Sequence, residues 1–217
     1  MMTAIRTTQR TRIKICGLQS IEEVRLASDY GADSIGLVFH APSPRFIDLE
    51  KAIAVRCQIP AFVTVTALFL NESEEWVAQV VDQLKPDCLQ FHGTETPQMC
   101  QQWGLPFIKA IPMASVAHPD QYASEYAMAQ GFLMDSNAAG RLGGSGDTFD
   151  WSKIPSDFQY PLILAGGLTP LNVADAVAQV KPWAVDVSSG VEKSRGVKDI
   201  SLIKQFCKEV HRADCQG

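Results

Sequence analysis

Two side chains in this 217-residue chain stand where one proton could be taken and another given. Cys16 closes the apolar run Arg12–Cys16 and is followed by Gly17. A thiol titrates near pH ~8.5, close enough to neutrality to act as a base when a cation lies beside it. Lys14 comes two residues earlier, so on an extended strand it shares a face with Cys16. Asp135 follows Phe132-Leu133-Met134. A carboxyl there must meet water or a partner, and partial burial strengthens its hold on a proton. These traits suit a general base at Cys16 and a general acid at Asp135. The residues alone also allow a small buried hydrophobe and a turn-capping carboxylate.

Other polar residues follow apolar runs in the same manner. Arg45, in Ser43-Pro44-Arg45, carries a planar fork that matches a carboxylate or phosphate. His92 comes directly after Cys88–Phe91 and can serve as acid, base, substrate contact or structural residue. Gly166 and Gly167 follow one run, and Ser188, Ser189 and Gly190 follow the next. Backbone N–H groups and hydroxyls from two such loops can wrap one phosphate, and small residues let it approach. Gly143-Gly144-Ser145-Gly146 lacks the lysine of a P-loop and reads as a lid, with Gly144 as a further substrate contact. No His/Asp/Glu cluster has metal-ligand spacing, so a metal is not implied.

The elements that must position these residues are short apolar runs alternating with longer amphipathic ones, the pattern of βα units on a parallel sheet. Eight strands are predicted: Arg12–Cys16, Ser34–Phe39, Phe62–Leu70, Cys88–Phe91, Phe107–Ile111, Phe132–Asp135, Leu162–Ala165 and Ala184–Val187. Helix starts are marked by the capping box Ser20-Ile21-Glu22-Glu23, by Ser73 before two glutamates, and by Thr96-Pro97 and Thr169-Pro170. Gly31 marks a helix end. Eight units in this length predict a single (β/α)₈ TIM barrel, an α/β fold whose active site lies at the C-terminal strand ends. An open doubly wound sheet should show G-x-G-x-x-G after its first strand, and this chain does not. In a closed barrel strands one and eight touch. Lys14 and Asp186 should therefore pair inside it, and the pair should favour the Cys16 thiolate.

Composition narrows the function class. Hydrophobic residues are 46% and charged residues 20%, ordinary for a globular domain and unlike a disordered one. The net charge of −5 disfavours nucleic acid as a partner. The apolar stretch Ile59–Leu70 is too short and too polar to span a membrane. Six cysteines without a C-x-x-C pair suit free thiols in a reducing, cytoplasmic setting. Residues 1–11 read as a flexible extension and 12–217 as the barrel domain.

Taken in order, the motifs are similar to those of the phosphoribosylanthranilate isomerase family. They are Lys14-Ile15-Cys16-Gly17-Leu18, Gly31-Ala32-Asp33, Ser43-Pro44-Arg45, Leu89-Gln90-Phe91-His92-Gly93, Asp135 with Gly143-Gly144-Ser145-Gly146, Thr148-Phe149-Asp150-Trp151, Ala165-Gly166-Gly167-Leu168 and Asp186-Val187-Ser188-Ser189-Gly190-Val191-Glu192. The resemblance implies a barrel without metal or cofactor, acting as monomer or homodimer on a small phosphorylated substrate. It places the base at Cys16, the acid at Asp135, the anthranilate carboxylate at Arg45, and phosphate at Gly166, Gly167, Ser188, Ser189 and Gly190. It implies an Amadori rearrangement in tryptophan biosynthesis. Thr64-Val65-Thr66-Ala67 departs from the family's more glycine-containing third strand, which would alter the pocket wall. A histidine-pathway isomerase of related chemistry would resemble a doubled half-barrel with aspartates as both acid and base. A sugar-phosphate sensor would keep the glycine loops without needing Cys16 and Asp135 together.

Overall fold

The structure, a computed structural model, describes residues 10–136 and 149–216. Its parallel strands are β1 (Arg12–Cys16), β2 (Ser34–Val38), β3 (Thr64–Phe69), β4 (Cys88–Phe91), β5 (Phe107–Pro112), β6 (Gly131–Asp135), β7 (Leu162–Leu164) and β8 (Ala184–Val187). They pair in sequence order, and β8 returns to β1, closing the barrel. The helices are α1 (Ile21–Asp29), α2 (Leu49–Arg56), α3 (Glu74–Leu84), α4 (Pro97–Gln101), α5 (Pro119–Glu125), α6 (Val173–Val180) and α7 (Ile200–Asp214).

Local chemistry explains most boundaries. Ser20 caps α1 through a full capping box with Glu23, and Gly31 follows its end at φ +100°. Ser73 and Thr96 cap α3 and α4. The expected start at Thr169-Pro170 is displaced: α6 begins at Val173 after Asn172. The Thr169 carbonyl accepts from Asn172 and Val173, while Thr169 Oγ1 accepts from the Leu171 amide. These bonds hold a turn ahead of the helix. Between β6 and β7 the described residues hold a 3₁₀ turn, Trp151–Lys153, in place of an α-helix. Beyond β8 comes a second 3₁₀ turn, Ser189–Val191. A small antiparallel hairpin then follows, formed by β9 (Glu192–Ser194) and β10 (Val197–Lys198), which the apolar pattern does not announce. Thr11 belongs to the ordered body: its amide and hydroxyl both donate to Asp214 at the end of α7, at 2.8 and 2.7 Å.

The barrel has two kinds of interior. On one side Ala110, Leu133, Ile163, Ala165 and Ala184 pack as a small apolar cluster. On the other, polar groups satisfy one another. Lys14 lies in register with Asp186 and donates to it at 2.8 Å. Ser34 and Thr66 share a hydroxyl hydrogen bond at 2.9 Å. Outside the sheet, Phe39, Phe69 and Phe91 stack in series with centroids 5.9 and 6.0 Å apart, beneath the helices.

One buried cation lies away from that interior. Lys109 on β5 donates to Glu95 Oε2 at 2.8 Å and to the Gly93 carbonyl at 2.6 Å. Glu95 also accepts from the amides of Asn71 and Gly93. A buried pair contributes little net, but removing one partner strands the other charge. Lys109→Met should therefore lower unfolding stability by about 3–5 kcal/mol, read by urea titration. Adding Glu95→Gln should restore most of that loss. An equally unstable double variant would show that the charge is not what matters.

Candidate active site

Alternation along each strand sends residues two apart to the same side. Lys14 and Cys16 on β1, Gln90 of β4 with His92 just beyond it, Leu133 and Asp135 on β6, and Ala184 and Asp186 on β8 all follow this rule. The strands run parallel, so the last residue of each set gathers at one mouth. A single pocket there is lined by Cys16, Arg45, His92, Asp135, Gly166, Gly167, Ser188 and Ser189. Eight of the ten site residues expected from sequence are thus brought together. Gly190 does not line the pocket. A Cβ on it would lie 1.8 Å from the Leu168 carbonyl oxygen, so its bareness lets the loops after β7 and β8 touch. Gly144 lies outside the described residues, as does the rest of the expected lid. Thr64–Ala67 also stay out of the lining. From that region Leu68 and Leu70 form the wall, so the departure from the family pattern lies below the pocket.

Cys16 is only 4% exposed. Gly36 on β2 lies beside it, where a Cβ would come within 2.8 Å of Sγ, so the glycine makes room for the thiol. Burial pushes the thiol's pKa up. Lys14 and Lys198 oppose that rise, Asp186 adds to it, and the net shift is upward. The expected Lys14–Asp186 pair is present, and Lys14 pulls the thiol's pKa down more than Asp186 pushes it up. Burial outweighs the pair, so the thiolate is not the favoured form in the free protein. Lys14 itself is held above its usual range: burial works against its charge, and Asp186 and Cys16 outweigh that cost.

Asp135 and His92 meet at the mouth, with His92 Nε2 3.2 Å from Asp135 Oδ2. The other ring nitrogen, Nδ1, lies 3.1 Å from Gln90 Nε2. The His92 amide donates to the Phe69 carbonyl at 2.9 Å, which fixes the backbone under the ring.

Arg45 lines the pocket and is also engaged within the protein. Its Nε and Nη2 donate to the two oxygens of Glu192 at 2.6 and 2.9 Å, so an internal carboxylate already matches that fork. Glu192 also accepts from Lys198 at 2.9 Å and from the Gly196 amide at 3.0 Å. Burial raises the Glu192 pKa, but Arg45 and Lys198 more than offset it, and its carboxyl sits below the usual range. Lys198 in turn donates to the Ser188 carbonyl at 2.8 Å, and Ser188 Oγ donates to the Cys16 carbonyl at 3.0 Å. Sequence reasoning missed Gly36, Gln90 and Lys198 as parts of the site. Gln90 had a legible signal, standing two residues before His92; Lys198 had none, because the hairpin carrying it was not legible.

Fold and site together define a (β/α)₈-barrel enzyme. The family model for N-(5′-phosphoribosyl)anthranilate (PRA) isomerase matches residues 13–209. The chain belongs to that family. It is 47% identical over 208 residues to N-(5′-phosphoribosyl)anthranilate isomerase of Leptothrix cholodnii, covering 96% of this chain and 94% of that protein. It is 45% identical over 210 residues to the Xylella fastidiosa protein of the same name, covering 94% of each. The crystal structure of phosphoribosyl anthranilate isomerase from Thermotoga maritima superposes with TM-score 0.83 at 36% identity, covering 93% of this chain and 99% of that one. A solved structure of such an isomerase in complex with reduced 1-(o-carboxyphenylamino)-1-deoxyribulose 5-phosphate matches with TM-score 0.80 at 35% identity, over 93% and 99% of the two chains. Among the described residues no helix is long and apolar enough to cross a membrane, and no cluster of three His, Cys, Asp or Glu is placed to hold a metal.

The raised thiol pKa gives a labelling test. A thiol held above its ordinary value keeps its proton through neutral pH, and the protonated form does not attack iodoacetamide. In the free protein the exposed Cys57 and Cys215 should label first at pH 7, with Cys16 modified only as the pH climbs past the free-thiol range. Peptide mass spectrometry reads the order. Cys16 labelling fastest at pH 7 would contradict the dominance of burial.

Proposed function

We propose that this pocket converts N-(5′-phosphoribosyl)anthranilate to 1-(2-carboxyphenylamino)-1-deoxyribulose 5-phosphate by acid–base catalysis, with Asp135 as acid and Cys16 as base. The chain is an isomerase of tryptophan biosynthesis. The observation that carries the mechanism is that both groups line one pocket, on strands far apart around the barrel.

Asp135 gives its proton to the furanose ring oxygen. The C1′–O bond breaks, its electron pair goes to that oxygen, and the anilino nitrogen's lone pair forms C1′=N⁺. This iminium is the electron sink for the next step. Its positive charge forms beside Sγ and, with Lys14 and Lys198, favours loss of the thiol's own proton to solvent, which leaves Cys16 as the thiolate that acts next. Cys16 then takes the proton from C2′, and the C2′–H electrons become the C1′=C2′ bond of an enolamine. Tautomerisation of the enolamine, with a proton added at C1′, gives the ketose. Each acid–base step is worth typically ~10²–10⁴-fold. His92 supports Asp135. The phosphate binds to the backbone of Gly166 and Gly167 and to Ser188 and Ser189, with Gly190 setting the path of its loop. Gly166 and Gly167, at φ +78° and +66°, adopt conformations that favour glycine. Arg45 contributes its charge to the anthranilate carboxylate while Glu192 holds its inner edge. Gly144 contributes a further contact to the substrate. The enzyme acts in the cytoplasm as a monomer or homodimer.

Turnover is followed by the loss of anthranilate-type fluorescence. Asp135→Asn and Cys16→Ala should each lower kcat by at least ~10²-fold and leave inhibition by inorganic phosphate unchanged. Near-native turnover by Cys16→Ala would rule out the thiol as base. Arg45→Met should raise KM for the natural substrate and act far less on an analogue lacking the carboxylate. Equal losses on both would assign Arg45 to holding the loop alone.

A further inference from the structure

Gln90 is fully buried on β4, two residues before His92 and on the same side of the strand line. Its Nε2 lies 3.1 Å from His92 Nδ1. An amide nitrogen only donates, so the Nδ1 it faces is the ring's lone-pair nitrogen. In a neutral imidazole the proton then sits on Nε2, the nitrogen 3.2 Å from Asp135 Oδ2. Gln90 Oε1 is buried without a hydrogen-bond partner among the described residues. The opposite amide orientation would set Oε1 against Nδ1 and demand a proton there instead. Amide orientation and ring tautomer are thus one variable with two settings.

The settings differ at Asp135. With the proton on Nε2, His92 donates to Oδ2. The carboxyl's own proton is then carried on Oδ1, and the carboxylate left after its transfer keeps a donor on Oδ2. With the proton on Nδ1, a bare nitrogen faces Oδ2 and holds the carboxyl proton on the wrong oxygen. The Ser136 hydroxyl makes a long contact with Oδ1, at 3.4 Å.

We propose that Gln90 is a positioning residue for the acid of the isomerase reaction: its amide fixes His92 with the proton on Nε2, and this directs the Asp135 proton to Oδ1. The proposal rests on the isomerase reading above. It assigns Gln90 no contact with the substrate, and it accounts for a buried amide whose nitrogen is engaged and whose oxygen is not.

The test combines ring-nitrogen NMR of His92 with steady-state kinetics on the full chain. Wild-type His92 should show a protonated Nε2 and a bare Nδ1. Gln90→Glu places an acceptor against the ring, so Nδ1 should gain a proton. Its kcat should fall by about tenfold or more, within the range of a general-acid step, with KM for the substrate little changed. Gln90→Leu removes the donor, should populate both tautomers, and should give a smaller fall of the same kind. A wild-type ring protonated on Nδ1 would overturn the proposal, and it needs no variant to fold. Unchanged kcat in Gln90→Glu with Nδ1 protonated would overturn it too. A loss confined to KM would mean that Gln90 touches substrate instead of acting through His92. Absence of turnover in the wild type would sink the isomerase reading together with this one, whereas normal turnover with the wrong tautomer would sink this one alone.

Discussion

The Lys14–Asp186 pair is the interaction on which the rest of the structure turns. It lies at the seam where the last strand returns to the first, in register across that closure. Two charges inside a barrel are costly apart and tolerable together. Their 2.8 Å contact therefore rewards one registration of β8 on β1 over its neighbours. A slip of β8 by one residue would turn Asp186 to the helix layer and leave Lys14 alone inside. That registration also brings Ser188 to the Cys16 carbonyl and sets Lys14 below the thiol. Closure of the fold and placement of the candidate base are thus one event.

The divided interior follows from the same constraint. Polar side chains gather on the side of the seam, where they can satisfy one another. Small apolar residues fill the side near β5 to β8. Asp135 ends a strand on that apolar side and finds its partner across the mouth in His92. The loops after β7 and β8 depend on residues that are absent as much as on those present. Gly166 needs its bareness because a Cβ would lie 2.5 Å from the Ser136 amide nitrogen, and Gly190 because of the Leu168 carbonyl. Glu192 and Lys198 then tie the far end of that segment to Arg45 and Ser188. The loop expected to hold phosphate and the loop carrying Arg45 share one hydrogen-bond network.

Much of this was legible because the responsible signals are local. Apolar runs with capping residues locate all eight strands, and the Ser20, Ser73 and Thr96 caps begin helices where expected. Period-two alternation places Lys14 with Cys16, and closure places Asp186 beside them. What escaped depends on contacts between distant segments. Thr169-Pro170 has the residues of a helix start, but Asn172 bonds back to the Thr169 amide and holds a turn. The hairpin after β8 is too short and too polar to show a period. Arg45 looks like a free fork until Glu192, 147 residues away in sequence, is seen to fill it. The direction of the Cys16 shift was misjudged because burial cannot be weighed from sequence. Lys14 was visible, and the desolvation that outweighs it was not.

The account's central claim is that Cys16 and Asp135 serve one reaction in succession from separate strands. A double-variant cycle tests it most directly, with single-turnover fluorescence on wild type, Cys16→Ala, Asp135→Asn and the double variant. If the two act in one sequence, a blocked step already halts it. The double variant should then be about as slow as the slower single variant. Losses that multiply in full, with the double variant still folded and still inhibited by phosphate, would show two independent contributions and contradict the claim.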